Sequence, residues 1–203
     1  MPPSLDDARR LLRHHFGHTD FRPAQVPVLR SVLSGTDTLA VLPTGGGKSV
    51  CFQIPALVLN GLTVVVSPLI ALMQDQVAAA RARGIAAAAL HSGIDDAERA
   101  RIWTALESGA LRLLYASPER LSRLAPELRA RGLRSALLAV DEAHCIAEWG
   151  HDFRPSYRTL GAARYRLGRP PVVALTGSAT PEVRKDIART LGFRPGRWAE
   201  HLG

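Results

Sequence analysis

A chain of 203 residues, 46% hydrophobic and 22% charged, carries enough apolar material for one sizeable soluble domain with no need of staples. Its net charge of +8 and isoelectric point near 10.6 point to a polyanion as partner. No apolar run approaches the roughly twenty residues of a membrane span, and MPPSLDDARRLL has no apolar signal core, so a cytoplasmic protein is expected. Two distant cysteines, Cys51 and Cys145, read as buried free thiols and argue against a disulfide frame or a cysteine-built zinc site.

Residues 4–16 predict a helix capped by Ser4, with Leu5, Ala8, Leu12 and Phe16 on one face and Gly17 after its end. A polar turn, HTDFRPAQ (18–25), leads into a second helix from Pro23 to Leu33. The apolar pentad 38–42 reads as a buried strand, followed by a glycine-rich turn and a helix over 48–59. Strand 63–67 precedes a helix from Pro68 to Arg83, in which Ile70, Leu72 and Met73 are expected in the core. Residues 86–90 form a weak strand, 95–108 a helix, 111–116 a strand, and 118–131 one or two short helices. The run 135–140 is a buried strand ending on Asp141-Glu142, and a polar, aromatic loop follows it. A helix near 156–167, a strand at 171–176 and a helix at 181–191 complete the series. The stretch 194–203 reads as the start of a linker, so one domain is expected over 1–193. Near-continuous apolar strands alternating with helices specify an α/β fold, a parallel sheet covered on both faces.

In such sheets ligands gather beyond the carboxyl ends of the strands. LAVLPTGGGKS (39–49) places bare backbone amides of Thr44, Gly45, Gly46 and Gly47 before a helix, a geometry that wraps phosphate. Lys48 supplies a point charge for the β/γ-phosphates and Ser49 a hydroxyl for Mg²⁺. The pattern GxxxxGK(S/T) asks for Gly where this chain has Leu42. All basic residues but Lys48 and Lys185 are arginine, so a lysine after the glycines marks a site that prefers a compact ammonium. Asp141 is the candidate Mg²⁺ ligand across from the loop. Glu142 is the candidate base for the attacking water.

HTDFRPAQ, LPTGGGKS, VVVSPLIALMQDQ, YASPERL, LAVDEAHC, EWGHDFRPSY and ALTGSAT stand in the order and spacing of the first motor domain of RecQ-family DNA helicases. Over about residues 5–193 the chain resembles the N-terminal RecA-like, ATP-binding lobe of such a superfamily 2 helicase, a P-loop NTPase domain. The resemblance implies an ATP-dependent 3′–5′ DNA helicase of DNA repair and recombination, using ATP and Mg²⁺. HTDFRPAQ is similar to the family's adenine-reading segment. Gln25 would pair with the adenine edge and Arg22 lie against the base. His18 stands where an aromatic is usual, either stacking or remaining a solvated turn residue. VVVSPLIALMQDQ and YASPERL resemble loops that track a nucleic acid backbone, with Ser67 and Ser117 as phosphate contacts. The loop CIAEWGHDFRPSY resembles the family's aromatic-rich sensor of single-stranded DNA. Trp149, His151, Phe153 and Arg154 offer stacking faces and a guanidinium for unpaired bases. The other reading of Trp149 and Phe153 is a lid over the core. Ala147-Glu148 replaces the family's usual Ser-Gln, adding a negative charge beside a DNA contact.

Translocation requires a second RecA-like lobe, in cis or in trans, which nothing after residue 193 encodes. The chain alone, expected as a monomer, should bind Mg-ATP weakly, hydrolyse it very slowly and leave duplexes intact. Single-stranded and partly duplex DNA are the expected partners, with no membrane. Two alternatives remain: a non-catalytic DNA-binding adaptor, and an ATPase lobe acting on RNA or completed by another chain.

Overall fold

The computed structural model describes residues 3–59, 61–147 and 152–203. Within them strand and helix alternate almost throughout. Two helices, α1 (Leu5–Phe16) and α2 (Gln25–Leu33), precede β1 (Asp37–Val41), α3 (Val50–Val58), β2 (Leu62–Val66), α4 (Ile70–Ala82) and β3 (Ala87–Leu90). Then come α5 (Asp96–Glu107), β4 (Leu113–Ala116), α6 (Pro118–Ala130) and β5 (Ser135–Val140). One-turn 3-10 segments at Ala143–Ile146 and Pro155–Thr159 lead to α7 (Leu160–Arg166), β6 (Val172–Thr176), α8 (Pro181–Thr190) and β7 (Trp198–Leu202). Ser4 caps α1 as its sequence indicates: its hydroxyl accepts from the Asp7 N–H at 3.1 Å, and the Asp7 carboxylate accepts from the Ser4 N–H at 3.3 Å.

The strands form one sheet in the order β3-β4-β2-β5-β6-β1-β7, with every recorded pairing parallel. Side-chain alternation explains why these strands are apolar along their whole length. Leu39, Val64, Leu114, Leu138 and Ala174 face one way, into a core closed by residues of α5, α6, α7 and α8. Their neighbours Ala40, Val65, Tyr115, Leu137 and Leu175 face the other way, against α2, α3 and α4, with α1 packed outside α2 and α3. Each fully buried Leu, Val or Phe contributes about 1.5–3 kcal/mol of transfer free energy. No helix among the described residues is long and apolar enough to cross a membrane. Both cysteines are buried and free.

Most expected elements recur with ends shifted by a residue or two. Residues 118–130 form one helix with Pro126 inside it, and the helix expected near 156–167 is a 3-10 turn followed by the short α7. Residues 194–203 are a correction. The expected linker contains β7, which lies parallel to β1 with Asp37 opposite Trp198 and Val41 opposite Leu202. WAEHL has no apolar run because an edge strand packs only one face. It is fixed by partners instead: the Trp198 ring 5.6 Å from Phe193, an Arg184–Glu200 ion pair at 3.0 Å, and a Ser31–His201 hydrogen bond at 2.9 Å.

Candidate nucleotide and nucleic-acid site

The loop leaving β1 is built so that only glycine fits. Gly45 and Gly47 have φ of 80° and 73°. A Cβ on Gly46 would stand 2.8 Å from the Pro43 carbonyl oxygen, and one on Gly47 2.5 Å from Gln25 Nε2. Leu42, the departure from the general pattern, is 1% exposed and faces the core, so the substitution leaves the cradle itself unchanged. Its N–H donates to the Thr176 carbonyl at 2.9 Å, tying the loop to the end of β6. Lys48 and Thr44 lie over Gly177: a Cβ there would be 3.5 Å from Lys48 Nζ and 3.6 Å from Thr44 Oγ1. Ser49 stands just before α3 and makes no capping bond with its side chain, which leaves the hydroxyl uncommitted to the helix.

Asp141 caps the carboxyl end of β5 and is 6% exposed. Its Oδ1 accepts from the Glu142 N–H at 3.0 Å and its Oδ2 from Gln76 Nε2 of α4 at 3.2 Å. Burial, reinforced by the charge of Glu142, raises its pKa above the ordinary carboxylate value. The Gln76 and Glu142 hydrogen bonds and the Lys48 ammonium work against that rise. Glu142 itself has φ 48° and ψ 47°, the left-handed region that a glutamate enters only under constraint. His144 Nδ1 lies 2.9 Å from Thr176 Oγ1 and 3.3 Å from Glu142 Oε2. Because the threonine hydroxyl donates to the Ser178 carbonyl at 3.0 Å, its oxygen is left to accept from a hydrogen on Nδ1, while Nε2 lies 3.5 Å from Asp152 Oδ2.

The HTDFRPAQ segment meets the loop directly. Gln25 is 4% exposed, and its Nε2 donates to the carbonyls of Gly46 and Gly47 at 3.2 and 3.1 Å. Its Oε1 accepts from the Arg22 N–H at 2.9 Å, and the Arg22 guanidinium donates to the Gly45 carbonyl. In this state the amide holds the glycine loop, so an adenine edge can be read only if these bonds are exchanged. His18 is exposed.

Beyond the ends of β2, β3 and β4 lies a groove of about 730 Å³, lined among others by Ile70, His91, Arg99, Trp103, Arg123 and Arg154. Ser117 lines it too, but its hydroxyl caps α6 by accepting from the Arg120 N–H at 3.2 Å. Ser67 does not reach it. That side chain is fully buried with its Oγ unpartnered, so the hydroxyl expected to touch phosphate is closed off. Arg154 donates to the Pro68 carbonyl at 3.0 Å, and Phe153 is half-buried. Trp149, His151 and Glu148 fall outside the described residues. Met73 is core as expected, whereas Ile70 is 40% exposed at the groove.

A family model described as DEAD/DEAH box helicase matches residues 22–187, which span the loop, Asp141, Glu142 and the groove. The chain belongs to the DEAD/DEAH box helicase family. This helicase domain is 45% identical over 184 residues to the probable ATP-dependent DNA helicase RecS of Bacillus subtilis, covering 90% of the chain and 37% of the relative. To the ATP-dependent DNA helicase RecQ of the same organism it is 46% identical over 189 residues, covering 92% of the chain and 32% of the relative. The domain therefore spans about a third of these relatives' length. Among solved structures, the DUF1998 helicase MrfA bound to DNA superposes with a TM-score of 0.75 at 15% identity, over 98% of this chain and 29% of that one. A Pyrococcus furiosus Hef helicase domain gives 0.62 at 22% identity, over 89% and 38%. Both likenesses concern the fold, which is RecA-like α/β.

The helicase domain's donors suit the expected cofactors. Ser49 and Asp141 offer hard oxygens of the kind Mg²⁺ takes alongside nucleotide phosphates. Among the described residues no group of three or more His, Cys, Asp or Glu forms a ready cage, so phosphate oxygens would have to complete the shell. His91, Arg99, Trp103 and Arg123 of the groove went unremarked in the sequence. Only the arginines carried a hint, and in a chain this rich in arginine it could not stand out.

Proposed function

We propose that this chain is the first motor lobe of a RecQ-type DNA helicase, which couples Mg-ATP hydrolysis to 3′–5′ movement on single-stranded DNA. One observation carries the reading. Two stretches far apart in the chain bring Lys48 and the adjacent pair Asp141-Glu142 to one end of the sheet, with Lys48 near enough for its charge to act on the Asp141 carboxylate. The amides of Thr44, Gly45, Gly46 and Gly47 receive phosphate oxygens, and Lys48 neutralises charge on the β/γ-phosphates. Ser49 and Asp141 would hold Mg²⁺, which would supply positive charge beside the phosphates. Glu142, whose carboxylate lies 3.3 Å from His144 Nδ1, takes a proton from the attacking water. Gln25, Arg22 and His18 serve the adenine end. The groove lined by Ser117 and Arg154 takes the single strand, and Trp149, His151 and Phe153 are proposed from the sequence alone as stacking faces for its bases.

The curated relatives named DNA helicases are about three times longer, which supports a motor completed by a second lobe. An arginine supplied by such a lobe is worth about 10³–10⁵ in rate in phosphoryl transfer. The isolated chain, a cytoplasmic monomer on this reading, hydrolyses ATP slowly and does not unwind duplexes. The test is steady-state ATP turnover with and without single-stranded DNA, for wild type and Glu142→Gln. Turnover should fall by about 10²–10⁴ in the variant. Equal turnover in both proteins would remove Glu142 from the reaction.

A further inference from the structure

At the opposite, amino-terminal end of the sheet a cavity of about 520 Å³ opens between the start of β1, α7 and the segment after α8. That is a size typical of small-ligand pockets. Its only acidic lining residue, Asp37, is already used: Oδ1 accepts from Arg164 Nη2 at 2.6 Å and from the Val172 N–H at 3.0 Å. Arg164 also donates to the carbonyls of Pro170, Leu191 and Gly192, at 3.0, 2.9 and 3.4 Å, and so builds the wall. Gly161 lets α7 close on α8, because a Cβ there would stand 2.3 Å from the Thr190 carbonyl oxygen.

The other three arginines of the lining, Arg169, Arg194 and Arg197, have no carboxylate partner among the described residues. Some arginines of this surface are paired, as Arg9 is with Asp6 and Asp20 and Arg131 with Glu107, and others are not; what sets these three apart is that they line one cavity. Three guanidinia left facing one concavity repel one another and favour an anion. The cavity also carries an aromatic face. Tyr165 is 60% exposed, with the Arg169 guanidinium 5.0 Å from its ring centroid. Arg169 has φ 59°; it and Glu142 are the only non-glycine residues with positive φ among those described. Backbone held in that region marks places where the surroundings impose a position.

We infer that this cavity is a second nucleic-acid contact, taking one nucleotide unit of a strand, with its phosphate among Arg169, Arg194 and Arg197 and its unpaired base stacked on the Tyr165–Arg169 pair. A guanidinium plane beside a phenol ring accepts any base face, so contact at this place is independent of sequence. Because it lies at the far ends of the strands from the phosphate loop, a strand held here does not compete with ATP. The inference rests on nucleic acid being the polymer this chain handles, as proposed above, but not on turnover.

The experiment uses the 203-residue chain and a twelve-nucleotide thymidine strand carrying 5-iodouracil. Ultraviolet crosslinking followed by peptide mapping should place adducts on Tyr165. The double variant Arg169→Glu/Arg197→Glu should bind the strand about tenfold more weakly and lower the slope of log affinity against log salt by about 1.4, for two lost phosphate contacts. A fluorescent ATP analogue should bind the variant as it binds wild type. Unchanged affinity and slope in a folded variant, or no adduct on Tyr165 in wild type, overturns the site. Equal labelling of Tyr165 by free 5-iodo-deoxyuridine monophosphate at the same nucleotide concentration overturns the strand as its ligand. Loss of turnover in Glu142→Gln bears on the motor reading alone, so the two proposals fail separately.

Discussion

Glu142 sits in left-handed backbone, and its chemistry can be separated from its strain by substitution with glycine and alanine. With φ 48° and ψ 47° the Cβ crowds the following carbonyl, at a cost of about 1–2 kcal/mol for any residue but glycine. Alanine keeps that cost, whereas glycine relieves it. Glycine in turn loses about 0.4–1 kcal/mol through the greater freedom of its unfolded chain. Both variants remove the carboxylate and its 3.3 Å contact with His144, so that loss cancels in the comparison. Glu142→Gly should therefore be more stable than Glu142→Ala by about 0.5–1 kcal/mol, or about 1–4 °C in melting temperature for a chain of this size. ATP turnover should fall by about 10²–10⁴ in both. Urea titration gives the stabilities and a coupled phosphate assay gives the rates. An alanine variant as stable as the glycine variant would show that residue 142 stores no strain, and the constraint argued here would be wrong.

Asp141→Asn tests the buried charge. A folded pKa above the ordinary carboxylate value, caused first by burial and then by Glu142, means that ionisation opposes folding. Wild-type stability from this group is full below the unfolded pKa and declines as pH rises from there through the folded value. The asparagine variant should thus gain stability relative to wild type as pH climbs above the ordinary carboxylate value of about 4, with the gap levelling off at lower pH, where Asp141 is protonated in both states. Paired urea titrations across that range check it, and a gap that does not change with pH would refute it. Gln25→Ala separates two roles for the amide. Its bonds to Gly46 and Gly47 predict that ATP and GTP affinity fall together by about five- to tenfold, the worth of roughly one hydrogen bond. Calorimetry with each nucleotide would instead show ATP alone affected if adenine reading dominates.

Much of this domain is readable from the sequence because a parallel sheet buried on both faces leaves no room for polar positions. TVVVS and SALLAV announce themselves, and the polar residue ending each run marks the rim where ligands collect. LPTGGGKS is legible for a related reason, since backbone that must meet phosphate excludes side chains. What stayed hidden depends on partners far along the chain. WAEHL is a strand only because β1 offers it a free edge, and no local pattern reports that edge. Ser67 looks like a phosphate contact by its place after β2, yet packing has covered its hydroxyl. Gln25 reads in the sequence as an amide placed to pair with an adenine edge. Only the fold reveals that the same amide is bonded to the glycine loop. The left-handed backbone of Glu142 and Arg169 leaves no mark in residue type at all.

The nucleotide end and the groove also share rigid parts, which matters more than their nearness. Helix α4 begins at Ile70 in the groove and, six residues on, or about 9 Å along its axis, presents Gln76 to Asp141 at 3.2 Å. Arg154, at the groove wall, holds the Pro68 carbonyl just before that helix at 3.0 Å, and Tyr157 donates to the Asp141 carbonyl at 3.1 Å. A strand that pulls on Arg154 or Ile70 would thus act on two connections to Asp141, one to its carboxylate through Gln76 and one to its backbone carbonyl through Tyr157. The Gln76 Oε1 is buried without a partner, so small movements of α4 change one bond to Asp141 without breaking another from that oxygen. If a cation bound at Asp141 alters the preferred position of α4, linkage requires that a strand favouring that position raise the cation's affinity by the same factor. On the proposed reading, a helix joining groove to carboxylate would give ATP and nucleic acid a physical route by which each could sense the other within a single lobe.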